Sequence, residues 1–127
     1  MKREGVGIVV RNVKAMSDFY RDVLGFHTAY AEAQDYARLE KDGMVLMMYS
    51  RNDFEVLTSQ KFQYVEGLNG CHQIAISAGD YAAVDAAYEN TIKAGAKPIL
   101  APVTREWGQR VCYIADPEGN LIEIGSY

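Results

Sequence analysis

Apolar residues recur along this chain with two spacings, alternating in short runs and three to four apart in longer ones. Val6 to Val10 is short and β-branched, which reads as a strand. Met16, Phe19, Tyr20, Val23 and Leu24 fall at i, i+3, i+4 spacing, so Ala15 to Leu24 predicts an amphipathic helix. Asn12 or Ser17 is placed to cap it, and Gly25 to end it. Phe26 to Ala33 and Tyr36 to Lys41 predict a hairpin, and Asp42-Gly43 turns into a strand at Met44 to Tyr49. Arg51 to Gly70 has no clean period and reads as a linker, of a length that is often functional or partly helical. The pattern then restarts with a strand at Gln73 to Ser77 and a helix carrying Val84, Ala87, Tyr88 and Ile92 that ends at Gly95. A short strand at Pro98 to Leu100, a loop at Ala101 to Gln109 and a strand at Arg110 to Ala115 follow. The turn Asp116-Pro117-Glu118-Gly119 leads into the last strand, Asn120 to Ile124.

The second half thus repeats the first. Asp42-Gly43-Met44-Val45-Leu46-Met47 reads like Glu118-Gly119-Asn120-Leu121-Ile122-Glu123, each an acidic-Gly turn opening an apolar strand. The prediction is an α+β chain with two βαβββ modules whose half-sheets form an open barrel containing a cleft. Residues 1–127 make one domain, with module one at about 1–50, a linker at about 51–70 and module two at about 71–127. Strand parity puts Val6, Ile8, Val10, Leu46, Met48, Ile74, Ile76, Ile122 and Ile124 beneath the helices. The opposite face carries Gly5, Gly7, Val9, Arg38, Val45, Met47, Tyr49, Gln73, Ala75, Ser77, Val111, Tyr113, Leu121 and Glu123.

Composition narrows the partners. The net charge is −4 with no basic run, which argues against nucleic acid and anionic membrane. The longest apolar runs, such as Met44 to Tyr49, are strand-sized, and Met1-Lys2-Arg3-Glu4 leads into a strand instead of a signal-peptide core. A cytoplasmic location is the expectation. Cys71 and Cys112 have no metal-type spacing and are expected as reduced thiols. No Ser-His-Asp set, phosphate-cradling glycine loop or zinc-type cysteine pair is present in the sequence.

Phe19-Tyr20-Arg21-Asp22-Val23-Leu24-Gly25-Phe26 and Asp116-Pro117-Glu118-Gly119-Asn120-Leu121-Ile122-Glu123-Ile124, within the βαβββ duplication, resemble the vicinal oxygen chelate superfamily. This is the glyoxalase I, bleomycin resistance protein and extradiol dioxygenase group. The resemblance implies, for its metal-dependent members, four ligands from equivalent strand positions, two per module, holding an ion that chelates two adjacent substrate oxygens. Carried over by position, those four are Gly5, Met47, Gln73 and Glu123. Glycine has no side chain, and a thioether does not suit a hard-metal oxygen and nitrogen site. Gln73 and Glu123 alone fall short of a catalytic ion's usual ligand number, unless His72 or Glu4 steps in from the neighbouring position. The expectation is therefore no complete family metal site and no cofactor, with a divalent metal on Gln73, Glu123, His72 and Glu4 as the alternative.

Glu123, between Ile122 and Ile124, is the expected catalytic group, as a general base or an anchor for a cationic ligand; the plainer reading pairs it with Arg38 or Gln73. Trp107, the one tryptophan, is expected to stack on a planar ligand and Arg110 to hold an anion. The alternative folds Trp107 over the module edge and pairs Arg110 with Glu106 or Asp116. Arg38, Met47, Tyr49, Gln73 and Tyr113 complete the expected ligand wall, with Met47 flexible enough to follow an apolar ligand. His72 and His27 read as edge and surface residues. The expected function is binding of a small, partly aromatic molecule in the cleft between modules, in a homodimer. The alternatives are a divalent-metal glyoxalase-like lyase, isomerase or dioxygenase, and a metal-free enzyme with Glu123 as base.

Overall fold

The structure is a computed structural model that describes residues 1–32 and 35–127. Ala33, the expected end of a hairpin strand, lies outside the described residues. The chain divides into two compact units, Met1–Tyr64 and Val65–Tyr127.

The first unit runs β1 (Val6–Val10), α1 (Val13–Asp22), β2 (His27–Glu32), β3 (Tyr36–Lys41), β4 (Met44–Ser50) and α2 (Arg51–Thr58). Its sheet has the order β1-β4-β3-β2, with β1 parallel to β4 and the other pairs antiparallel. Asn12 caps α1 by accepting from the Ala15 amide at 2.9 Å, so Ser17 is free to sit buried in the helix. Helix α1 lays Val13, Met16, Phe19 and Tyr20 on one sheet face, over Ile8, Val10, Ala37, Leu39, Leu46 and Met48, all buried. The rings of Phe19 and Phe26 stand edge-on to Tyr20 at 5.4 and 5.6 Å. Val6, expected beneath the helix, is exposed at the start of β1, although it pairs with Leu46. Asp42 and Gly43 both take positive φ (48° and 80°), the left-handed pair that a two-residue hairpin between β3 and β4 requires.

The segment read as a linker holds α2. Ser50 caps it by accepting from the Asp53 amide at 3.1 Å. Helix α2 goes to the face opposite α1. There Tyr49, whose ring would lie 3.3 Å from a Cβ on Gly7, packs on Phe54 at 5.5 Å, and Phe54 on Phe62 at 5.6 Å. Helix α2 fully buries none of its residues, so no helical period shows in its sequence.

The second unit runs β5 (Asn69–Ser77), α3 (Tyr81–Lys93), β6 (Lys97–Thr104), β7 (Arg110–Ala115) and β8 (Asn120–Ser126). The sheet order β5-β8-β7-β6, with β5 parallel to β8, repeats that of the first unit. Asp80 caps α3, which packs on β6, β7 and β8. Strand β6 is longer than the Pro98 to Leu100 segment expected. It is an edge strand with two register irregularities, so Pro98 and Pro102 need not donate to a neighbour. The two modules are therefore α+β, with the βαβββ order expected, plus α2.

Candidate functional site

Strand β8 puts Ile122 and Ile124 into the core and turns Glu123, between them, to the other face. The register sets Tyr113 of β7 and Ala75 of β5 on either side of Glu123, with Gln73 one step along β5. Three donors converge on the carboxylate. The Tyr113 hydroxyl donates to Oε2 at 2.7 Å, Gln73 Nε2 to Oε2 at 3.1 Å, and Gln109 Nε2 to Oε1 at 3.4 Å. Burial, and then the bond to Glu123, hold the Tyr113 hydroxyl above its ordinary pKa, so it stays a neutral donor. Gln109 was not foreseen. Its amide passes over Gly125, where a Cβ would stand 2.8 Å from Gln109 Nε2. The last strand runs past the expected end at Ile124 and takes in Gly125, whose missing side chain allows that close approach.

Gln109 also accepts from Trp107 Nε1 at 3.0 Å, which links the tryptophan to the carboxylate through one side chain. The loop that carries both is closed by Arg105 N–H donating to Gln109 O and by Gly108 at φ 88°, and the Tyr81 hydroxyl donates to the Gly108 carbonyl. Trp107 is 63% exposed. Beside this network lies a hollow of about 270 Å³ lined by Ala75, Ser77, Gln109, Glu123, Gly125 and Tyr127, among others. A carboxylate offers about four acceptor positions. Oε2 takes two bonds and Oε1 takes one long one, so Oε1 retains room for a further donor.

The second unit thus brings together Glu123, Gln73, Tyr113 and Trp107. Arg110 is not among them. It lies on the α3 side of β7, where Nε meets Asp85 at 2.7 Å and Nη1 meets Thr104 at 3.0 Å. Neither expected partner holds it, because Asp116 is committed to its turn, accepting from the amides of Glu118 and Asn120 at 2.9 and 3.0 Å. Gln73, one of the two partners weighed for Glu123, is bonded to it within the second unit, and within the first unit Arg38 pairs with Glu4 at 2.7 Å. Arg38 also approaches Glu40 at 3.4 Å. Met47 and Tyr49 are half-buried on the first unit's face opposite α1, where the Tyr49 ring meets the Tyr36 ring edge-on at 5.0 Å. His72 is exposed on β5, and His27 lies 3.6 Å from Glu40. Both cysteines are free thiols, Cys71 exposed and Cys112 buried.

The duplicated topology matches Gln73, Tyr113 and Glu123 to Gly5, Arg38 and Met47 of the first unit, by equal register. No donor can be added at Gly5 without moving the sheet, because a Cβ there would stand 2.7 Å from the Val45 carbonyl oxygen. Glu4 is taken by Arg38. Among the described residues no group of three or more His, Cys, Asp and Glu side chains is placed to hold a metal ion. Among the described residues, no helix is long and apolar enough to cross a membrane.

The model of the Glyoxalase/Bleomycin resistance protein/Dioxygenase superfamily matches residues 4–124. The chain belongs to this superfamily. A glyoxalase/bleomycin resistance protein/dioxygenase family enzyme from Burkholderia phytofirmans PsJN has a similar structure. Its TM-score is 0.83 at 25% identity, with 94% of each chain covered. A lactoylglutathione lyase from Agrobacterium tumefaciens shares the fold at a TM-score of 0.77 and 19% identity, over 98% of this chain and 92% of the other. The uncharacterized protein YraH of Bacillus subtilis is 28% identical over 127 residues, covering 98% of this chain and 97% of its own.

Proposed function

We propose that this superfamily member binds a small, partly aromatic molecule bearing an amine or hydroxyl group, on the sheet face around Glu123, without a family-type metal. The observation that carries the reading is the Glu123 carboxylate, held by Tyr113, Gln73 and Gln109 and left with one acceptor position on Oε1. Donors fixed in advance orient the carboxylate, so a ligand N–H finds its acceptor already in place. Trp107, tethered through Gln109, supplies a planar apolar surface within the same network. The exposed indole and the hollow beside Glu123 provide the apolar contact, and the ion pair provides direction.

The metal-dependent reading competes with this one and is tested directly. Protein purified without chelator or affinity tag is assayed for metal by mass spectrometry, alongside Glu123→Ala. Substoichiometric metal in both, and no thermal stabilisation by added Zn, Ni, Mn or Fe, is the expected result. About one ion per chain that disappears in Glu123→Ala overturns the proposal and assigns Glu123 as a ligand.

A further inference from the structure

The first unit contains a second candidate site, separate from Glu123. Strands β1 and β4 are adjacent and parallel, with Val10 level with Ser50. Each runs straight into a helix, β1 through Arg11-Asn12 into α1 and β4 through Ser50 into α2. The helices leave for opposite faces of the sheet, α1 over Leu46 and Met48, α2 over Tyr49. Parallel neighbours whose helices diverge open a crevice at their carboxyl ends, and α1 and α2 both start there, with the Ala15 and Asp53 amides held by the Asn12 and Ser50 caps.

That crevice is a cavity of about 510 Å³ lined by Arg11, Asn12, Val13, Lys14, Asp35, Ser50, Arg51 and Asn52. It gathers Arg11, Lys14 and Arg51 against Asp35, in a chain whose net charge is −4. Asp35 already accepts from the Ser50 hydroxyl at 3.3 Å, and its carbonyl accepts from the Ser50 amide at 2.9 Å. Arg51 Nε is enclosed and meets no hydrogen-bond acceptor among the described residues, while the guanidinium lies 4.3 Å from the Tyr64 ring centroid. Lys14 also reaches Asp18 at 2.7 Å, an exposed pair that a bound anion displaces at little cost.

We infer that this cavity binds the phosphate of a small soluble phosphorylated molecule, with Arg51, Arg11 and Lys14 balancing its charge and the first-turn amides of α1 and α2 donating to its oxygens. A cluster of cations in a concave site beside two helix N-termini is the arrangement that a phosphate dianion matches in both charge and acceptor number. The site does not depend on Glu123.

The probe is inorganic phosphate, titrated at constant ionic strength against chloride while backbone amides are followed by NMR. Saturable shifts at residues 12–15 and 50–53 are expected, with Kd raised about tenfold by Arg51→Gln and severalfold by Lys14→Gln. Lys14 is exposed, so that variant keeps the fold if Arg51→Gln, which also loses the Tyr64 contact, does not. Glycerol phosphate should shift the same amides. No saturable shift, shifts unchanged in both variants, or binding seen only with vesicles of anionic phospholipid each overturns the inference.

Discussion

The bond between Tyr113 and Glu123 is the one on which the candidate site depends most, and its strength can be predicted. The hydroxyl donates to the carboxylate at 2.7 Å from a part-buried position. A hydrogen bond to a charged group contributes about 1.5–3 kcal/mol, and partial solvent access reduces this to about 1–2 kcal/mol. Tyr113→Phe keeps the ring and removes only the donor. Glu123→Leu keeps a similar volume and removes the acceptor. The two single variants and the double variant form a cycle, read by urea denaturation at pH 7 with far-UV circular dichroism. The expected coupling is about 1–2 kcal/mol. A coupling under about 0.3 kcal/mol would mean the hydroxyl does not hold the carboxylate, and the orientation argument for Oε1 would fall with it.

Other outcomes follow from the same geometry. Ile122→Ala, at a fully buried β8 position, should lose about 2–5 kcal/mol in urea denaturation, whereas Val6→Ala should lose under about 0.5 kcal/mol. Gly119→Ala should cost at least about 2 kcal/mol, since φ is 87° and a Cβ would lie 2.1 Å from the Gly67 carbonyl oxygen; a wild-type urea midpoint would refute this. Burial lifts the Cys112 thiol from 9.0 to about 11. Its folded pKa exceeds its unfolded one, so the folded form holds more protons and stability should fall as pH rises from about 9 through 11. Tyr49 and Tyr113, also raised by burial, add to the loss above about pH 10, and a flat stability profile from pH 8 to 11 would contradict it. At neutral pH one thiol, Cys71, should react with a thiol reagent at once and Cys112 only on unfolding, as thiol titration reads.

Much of this fold was legible because alternation and helical spacing agree with local signals. Asn12, Gly25, Asp42-Gly43 and Gly119 punctuate the chain where the apolar pattern changes period, so local and global cues point the same way. Helix α2 escaped because its eight residues expose Val56 and Leu57 and bury nothing fully, leaving no apolar stripe to read. Strand β6 escaped in part because its two prolines look like loop residues until its edge position is known. At the site, strand parity put Glu123, Gln73 and Tyr113 on one face, since a period of two leaves little freedom. Parity also puts Arg110 with Cys112 and Ile114, toward α3; the loop proximity of Trp107 had suggested otherwise. The partners of charged side chains lay furthest from view. Asp85 of α3 and Gln109 reach their partners across 25 and 14 positions, by geometry that no local spacing encodes.

The central claim is that Glu123 anchors a small aromatic ligand without a metal. Trp107 is the one tryptophan in the chain, so its fluorescence reports this network alone. A panel of arylalkylamines and aryl alcohols titrated into wild-type protein in the presence of EDTA should give at least one saturable change in Trp107 emission, weakened about tenfold or more in Glu123→Gln. No saturable response in EDTA, with a response restored by a divalent metal, would contradict the account.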